Sequence, residues 1–98
     1  MVKTKVIFRK SRHGVLALFP ELPGTMDPHT CLCYEHVGQH GSADVWISRR
    51  GYRLAAPDEY ADLKRELETA YCYELDPVKR ITPTMTRVRL AALKGGKP

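Results

Sequence analysis

Hydrophobic and polar residues alternate along the start of the chain with the two-residue period of a half-buried β-strand. In residues 2–9, Val6 and Phe8 fall on one side and lysine and arginine fall mainly on the other. A polar break at 11–14 ends in a glycine, and the apolar run 15–19 follows. This pattern predicts a β-hairpin. Because the second strand is apolar on both faces, we expect it to be central and covered on each side.

The next forty residues predict loops and further strands. Three prolines and a glycine lie within residues 20–28, so 20–29 should form an ordered loop. Residues 30–37 alternate again and predict a third strand. The glycine-containing segment 38–44 predicts a second loop. Val45, Trp46 and Ile47 indicate a short strand that ends near Leu54.

The last third of the chain carries two helix signals. Pro57 begins a helix over 57–71, with acidic residues in its first turn and apolar residues recurring along one face. Residues 73–81 predict an edge strand or a bulge, because Pro77 interrupts them. Thr82 caps a second helix, which begins at Pro83 and ends at the glycines 95–96.

These elements predict the fold class. We expect an α+β fold with a two-layer, mainly antiparallel sheet of four or five strands and two helices, in the order β-β-β-(β)-α-β-α. At 98 residues, the chain has the length of one domain. We assign that domain to residues 1–94 and a frayed C-terminal tail to 95–98.

Charge is distributed unevenly. The net charge is +5, yet neither residues 1–14 nor residues 77–98 contain an acidic side chain, and every aspartate and glutamate lies between them. Such asymmetry is typical of an anionic partner or of pairing within the molecule.

No apolar run approaches the roughly 20 residues of a bilayer span, and no signal-peptide core follows the basic N-terminus. The three cysteines are odd in number, and two of them are one residue apart on a predicted strand, which disfavours a disulfide scaffold. We therefore predict a cytoplasmic protein without membrane contact.

Four potential zinc ligands lie within ten residues: Cys31, Cys33, His36 and His40. Their number suits tetrahedral zinc, but their spacing does not match the usual pairs of ligands two to four residues apart. The ordinary interpretation is two buried cysteines beside loop histidines. Zinc therefore stays a possible cofactor, and no other cofactor is predicted.

The same segment offers acid–base chemistry as an alternative. His36 and His40 could serve as acid and base, because histidine as a residue type titrates near neutral pH, and Asp44 or Glu35 could orient one ring. Ser42 or Cys33 would be the nucleophile, although neither lies in a recognised motif. We regard Gln39, His40 and Asp44 as functional candidates in the predicted loop, and enzymatic activity as less favoured than binding.

The basic termini predict an anion-binding surface, if the first strand lies beside the last helix. Its members would be Lys3, Lys5, Arg9, Arg87, Arg89 and Lys94. Trp46, Tyr52 and Tyr71 could add stacking, although no known RNA-binding motif occurs. The apolar face of the first helix could also bind a partner, but covering its own sheet is the more usual role.

Four stretches, 6–10, 17–25, 34–44 and 59–68, resemble small uncharacterised bacterial proteins, some of them associated with mobile elements. The most recognisable piece is His-Val-Gly-Gln-His-Gly at 36–41. The resemblance implies a bacterial cytoplasmic setting and a shared small domain, and assigns no activity to any residue.

Together these observations favour a non-enzymatic binding or accessory module whose basic surface contacts nucleic acid or an acidic protein. One alternative is a small metal-binding or hydrolytic protein centred on the Cys/His cluster. Another is a structural homodimer joined through an exposed sheet edge, so both monomer and dimer stay open.

Overall fold

The computed structural model describes residues 3–35 and 40–95. Six strands and two α-helices lie within these ranges. The strands are β1 (Thr4–Ser11), β2 (Gly14–Pro23), β3 (Thr30–Tyr34), β4 (His40–Asp44), β5 (Arg53–Leu54) and β6 (Leu75–Pro77). The helices are α1 (Pro57–Ala70) and α2 (Pro83–Gly95), and a short 3₁₀ helix covers Ile47–Arg50.

The strands form one mainly antiparallel sheet in the order β4-β3-β2-β1-β5. β6 also pairs with β1, in parallel, with Lys5 opposite Asp76. The α+β prediction is therefore confirmed, as are the hairpin of β1 and β2 and the central place of β2.

Side-chain alternation gives the sheet two apolar faces. On the first face, Val6, Phe8 and Phe19 pack with Leu63 and Leu67 of α1. On the second face, Ile7, Leu18 and the two strand cysteines pack with Ile47. We call these the α1 face and the α2 face, because α2 lies beside the second cluster. The predicted cover on both sides of β2 is thus present.

Local chemistry explains where the helices begin. At α1, the backbone NH of Ala56 donates to the Glu59 carboxylate at 2.9 Å, and the NH of Glu59 donates to the Ala56 carbonyl at 2.8 Å. At α2, the hydroxyl of Thr82 accepts a hydrogen bond from the NH of Met85 at 3.3 Å, as the capping pattern predicts. Pro57 and Pro83 occupy the first helical positions.

Two predicted loops were wrong in part. β2 continues to Pro23, with a register shift after Phe19 where Pro20 has no NH to donate to the ladder. Gly24 then passes so close to β3 and β4 that a Cβ there would lie 2.6 Å from the carbonyl oxygen of Cys31. The second predicted loop, 38–44, is the strand β4 from residue 40 onward.

The predicted strand after Val45 was also wrong. Residues 47–50 form the 3₁₀ helix, which ends at Gly51 with φ of 85°, and only Arg53 and Leu54 pair with β1. The third strand ends at Tyr34 rather than near residue 37. Residues 96–98 of the predicted tail lie outside the described residues.

Candidate functional site

A groove of about 690 Å³ lies between α2 and the second face of the sheet. Its walls are mostly apolar, with Ile7 and Leu18 from the sheet, Val45 after β4, and Ile81 and Leu90 from the α2 side. We call it the α2 groove. Because 300–1,000 Å³ is the usual range of ligand pockets, the groove is large enough for a small molecule or for one or two residues of a polymer.

Two arginines from opposite ends of the chain line this groove. Arg9 comes from β1 and Arg87 from α2, and neither forms an ion pair within the described residues. Arg87 makes a hydrogen bond to the hydroxyl of Thr84 at 3.2 Å, within its own helix. The groove thus combines an apolar wall with two cations that no carboxylate neutralises.

Aromatic side chains lie on the same groove. Trp46 lines it with 52% of its surface exposed, and His29 lines it from the loop before β3. The carboxylate of Asp44 accepts a hydrogen bond from the backbone NH of Trp46 at 2.8 Å, so the end of β4 positions the indole. An exposed indole beside arginines provides a stacking surface next to positive charge.

Arg89 is buried beside the groove and is only 3% exposed. Its Nη1 donates to the carbonyl oxygen of Pro20 at 2.8 Å, and its Nη2 lies 3.4 Å from that of Pro28. Its Nε is buried without a hydrogen-bond partner among the described residues. Assigning Arg89 to an exposed anion-binding surface was therefore wrong, because two backbone carbonyls hold its guanidinium inside the protein.

The other members of the predicted basic surface are only partly brought together. Arg9 of β1 and Arg87 of α2 line the same groove, although α2 packs mainly against β2 rather than against the first strand. Lys5 shares the face of Arg9 by strand alternation, but Asp76 lies opposite it on β6. Lys3 and Lys94 are exposed, and neither lines the groove.

The described members of the Cys/His cluster lie on opposite faces of the sheet. Cys31 and Cys33 belong to the α2 face. His40 lies directly opposite Tyr34 in the ladder, and its ring packs on that of Tyr34 at 4.6 Å on the α1 face. His36 lies outside the described residues, and the described residues contain no group of three metal-binding side chains.

The cysteine thiols are also poor nucleophiles where they lie. Burial raises the pKa of Cys31 to about 11, although the nearby Arg89 opposes this effect. Burial also raises the pKa of Cys33. Since the thiolate is the reactive form, both side chains behave as small core residues.

The predicted functional loop contributes structure rather than a cluster. His40 and Asp44 lie at the two ends of β4, four residues and thus about 13 Å apart, so they do not form a hydrogen-bonded pair. Ser42 lies between them on the same face and is exposed. Gln39 lies outside the described residues.

The apolar face of α1 covers the sheet, as its more usual role predicts. Leu63 and Leu67 are buried, and the ring of Tyr60 stacks on that of Phe8 at 4.1 Å. Tyr71, at the end of the helix, is 41% exposed and packs against His40 at 5.0 Å. Of the apolar residues that could have formed a partner-binding stripe along α1, Leu63 and Leu67 are buried, and Tyr71 at the end of the helix is exposed.

A second cleft, of about 390 Å³, lies near the β1–β2 turn, and four of its ten lining residues are acidic. Glu59 in this cleft is already paired with Arg53 and Lys10, and Glu66 accepts a hydrogen bond from the hydroxyl of Tyr34. The cleft is thus part of the packing between α1 and the sheet.

The α2 groove itself has no signature in the linear sequence. Arg9, Trp46 and Arg87 are separated by tens of residues, and only the packing of α2 on the sheet, mainly against β2, brings them to one groove. Trp46 was expected to add stacking to the basic surface, and it does line the groove. His29 was not predicted, and no sequence signal marks it.

No family model, no curated protein and no solved structure matches this chain. The resemblance to small bacterial proteins consequently stays a prediction. Among the described residues, neither helix is both long and apolar enough to cross a bilayer.

Proposed function

We propose that this protein is a non-enzymatic binding module that holds a segment of single-stranded nucleic acid in the α2 groove. The observation that carries the proposal is that Arg9, Arg87 and the exposed Trp46 line one groove. Arginine contacts phosphates through its planar fork, and indole rings stack on bases of any sequence. The groove thus has both components of a sequence-tolerant single-strand site.

The distribution of ion pairs supports an anionic ligand on this side. The ion pairs of α1 take up Lys10, Arg53, Lys64 and Arg65, whereas Arg9 and Arg87 have none within the described residues. A phosphate could therefore bind Arg9 or Arg87 without first breaking an ion pair among the described residues. Such cations contribute to affinity by releasing counterions from the nucleic acid.

The shape of the groove favours an unpaired strand over a duplex. A groove of about 690 Å³ accepts a splayed base and its sugar, but a double helix cannot enter it. The partly exposed apolar side chains of Val45, Ile81 and Leu90 would face the base, and the arginines would face the backbone. This arrangement would bind the faces of the bases by stacking rather than their edges by hydrogen bonds, so we expect weak sequence preference.

The test is titration of a fluorescent oligothymidine with the purified protein at several salt concentrations. We expect binding that weakens with salt, and a slope of log K against log salt that falls by about 1.4 in the double variant Arg9→Gln/Arg87→Gln, since each lost single-strand phosphate contact removes about 0.7. Trp46→Ala should weaken binding by about 1–3 kcal/mol without changing that slope.

Lys64→Gln/Arg65→Gln is the matched control, because it also removes two positive charges and both side chains pair with acidic residues of α1, away from the groove. It should leave both affinity and slope unchanged. Equal losses in this control and in the groove variant would mean that net charge alone attracts the oligonucleotide, which contradicts the proposal. Binding of a polyglutamate peptide with no binding of the oligonucleotide would overturn it in favour of an acidic protein partner.

A further inference from the structure

The strand β4 is an edge of the sheet, and within the described residues it pairs only with β3. We propose that β4 is the interface with a second copy of this chain. The two β4 strands would pair antiparallel about a twofold axis at Ser42, which joins the two sheets into one. This inference does not depend on the proposed nucleic-acid binding.

The backbone groups of β4 divide cleanly between its two sides. The NH of Val45 donates to the carbonyl of His29 at 2.9 Å, which continues the β3–β4 ladder by one residue. In an antiparallel ladder, hydrogen-bonded pairs recur every two residues. Residues 41, 43 and 45 therefore bond to the β3 side, and His40, Ser42 and Asp44 point their NH and carbonyl groups outward.

The outward NH and carbonyl groups of β4 are complementary to those of a second β4 related by a twofold axis. With Ser42 opposite Ser42 of the partner subunit, His40 lies opposite Asp44 of the partner subunit, and Asp44 opposite the partner's His40. All three pairs are hydrogen-bonding pairs, so they form six backbone hydrogen bonds. Each end of the interface also places an imidazole beside a carboxylate, which is a favourable cross-strand pair.

The composition of β4 supports this occupant. Edge strands usually avoid pairing through lysine, proline or a bulge. β4 reads His-Gly-Ser-Ala-Asp, contains none of these, and carries small side chains at its centre. The opposite edge is protected, because β5 has only two residues and β6 ends at Pro77.

The twofold axis has a consequence for the α2 groove. Strands paired in this way keep the same face on the same side of the sheet, so the two grooves open in the same direction. Val45 lines the groove and lies three residues from the axis. The two copies of Val45 are therefore six residues, or about 20 Å, apart along the strand direction.

The first test is sedimentation equilibrium of the full chain over a range of protein concentrations. We expect a reversible monomer–dimer equilibrium, and we expect Ser42→Pro to remain monomeric. Proline at 42 removes an outward NH and no bond to β3, so the fold is retained. Gly41→Ala is the control in the same strand, because its added Cβ would meet only Cys33 Sγ at 3.8 Å, and it should dimerise like the unmodified chain.

Cross-linking locates the interface even if Ser42→Pro fails to fold. In a Cys72→Ser background, Ser42→Cys should form a disulfide dimer under mild oxidation, since the Cα atoms of a hydrogen-bonded pair lie about 5.5 Å apart. Asp62→Cys on the exposed side of α1 should not. A monomer at every concentration, or a dimer that cross-links equally through Asp62→Cys, would overturn the proposal.

Discussion

Arg89 shows how one residue can hold two distant segments together. Its guanidinium donates to the carbonyl of Pro20, at the irregular end of β2, and lies within reach of the carbonyl of Pro28. Pro20 lies at the register shift of β2 and Pro28 lies in the turn before β3, and a buried carbonyl without a donor is costly. The guanidinium of Arg89 therefore stabilises the fold, whereas those of Arg9 and Arg87 line the α2 groove.

We predict that Arg89→Met lowers the free energy of unfolding by about 1.5–3 kcal/mol, the usual contribution of hydrogen bonds from a charged donor. Urea denaturation followed by circular dichroism measures this change. Arg87→Met is the matched control, because Arg87 is exposed on the same helix, and its stability should stay within about 0.5 kcal/mol of the parent. An Arg89→Met protein as stable as the parent would show that the proline carbonyls do not need the guanidinium.

At the scale of elements, the start of α1 is stabilised by a side chain from the first turn of the helix itself. Glu59 accepts the backbone NH of Ala56 and is held by both terminal nitrogens of Arg53, at 2.8 and 2.6 Å. The hydrogen bonds from Arg53 lower the pKa of Glu59 below its ordinary value of 4.5, and the bond from Ala56 acts in the same direction. One carboxylate therefore joins β5 to α1 and replaces the capping side chain that alanine lacks.

This arrangement predicts a pH-dependent contribution to stability. Because the folded-state pKa of Glu59 is lowered, its stabilisation is fully present above about pH 4.5 and is lost as the pH falls towards the folded-state value. Glu59→Gln should be less stable than the parent at pH 7, and the difference should shrink at pH 3. Urea unfolding at both pH values measures this.

Asp58→Asn provides the comparison for this prediction, since Asp58 lies in the same first turn and forms no ion pair among the described residues. Its stability difference from the parent should be small at pH 7. If Asp58→Asn loses as much as Glu59→Gln, the helix dipole rather than the Arg53 bridge explains the effect.

The elements that the sequence predicted correctly carry their signals locally. The alternation of Val6 and Phe8 and the caps at Pro57 and Thr82 are visible within a few residues, and each of these elements exists. β4 was missed because only Ala43 of its five residues is buried, so no apolar pattern marks it. Pairing with β3 defines that strand, and pairing is a non-local property.

Some residues of the candidate site could be predicted from the sequence, but their arrangement in the groove could not. Arg9 and Arg87 were expected on one surface, and the structure brings them to one groove. Arg89 looked equivalent to Arg87 in the sequence, but two carbonyls distant along the chain made it a core residue. The described cysteines and His40 looked like neighbours, but strand alternation placed them on opposite faces.

At the scale of the whole molecule, the two apolar faces of the sheet differ in how the charged residues beside them are paired. On the α1 side, three acidic residues of the helix, Glu59, Asp62 and Glu68, are paired with lysine and arginine. On the α2 side, Arg9 and Arg87 line an apolar groove and form no ion pair among the described residues. A sheet that is extended through β4 would repeat this division across the twofold axis, with both grooves on one side.

The geometry of that dimer predicts how affinity depends on strand length. The two grooves are about 20 Å apart along the strand direction at Val45, and the two copies of β1 are seven strand spacings, or about 34 Å, apart across the joined sheet. One strand of about 20 nucleotides can reach both grooves, whereas one of about 5 fills a single site, so the longer strand gains a second, effectively intramolecular contact. We expect oligothymidines of about 20 nucleotides to bind at least tenfold more tightly than those of about 5, measured by fluorescence anisotropy at protein concentrations above the dimer dissociation constant. In Ser42→Pro, the short strand should bind as in the parent and most of the gain should disappear. A monomeric Ser42→Pro that keeps the full gain would show that the extra affinity comes from sites within one copy, and the twofold arrangement of the grooves would then be wrong.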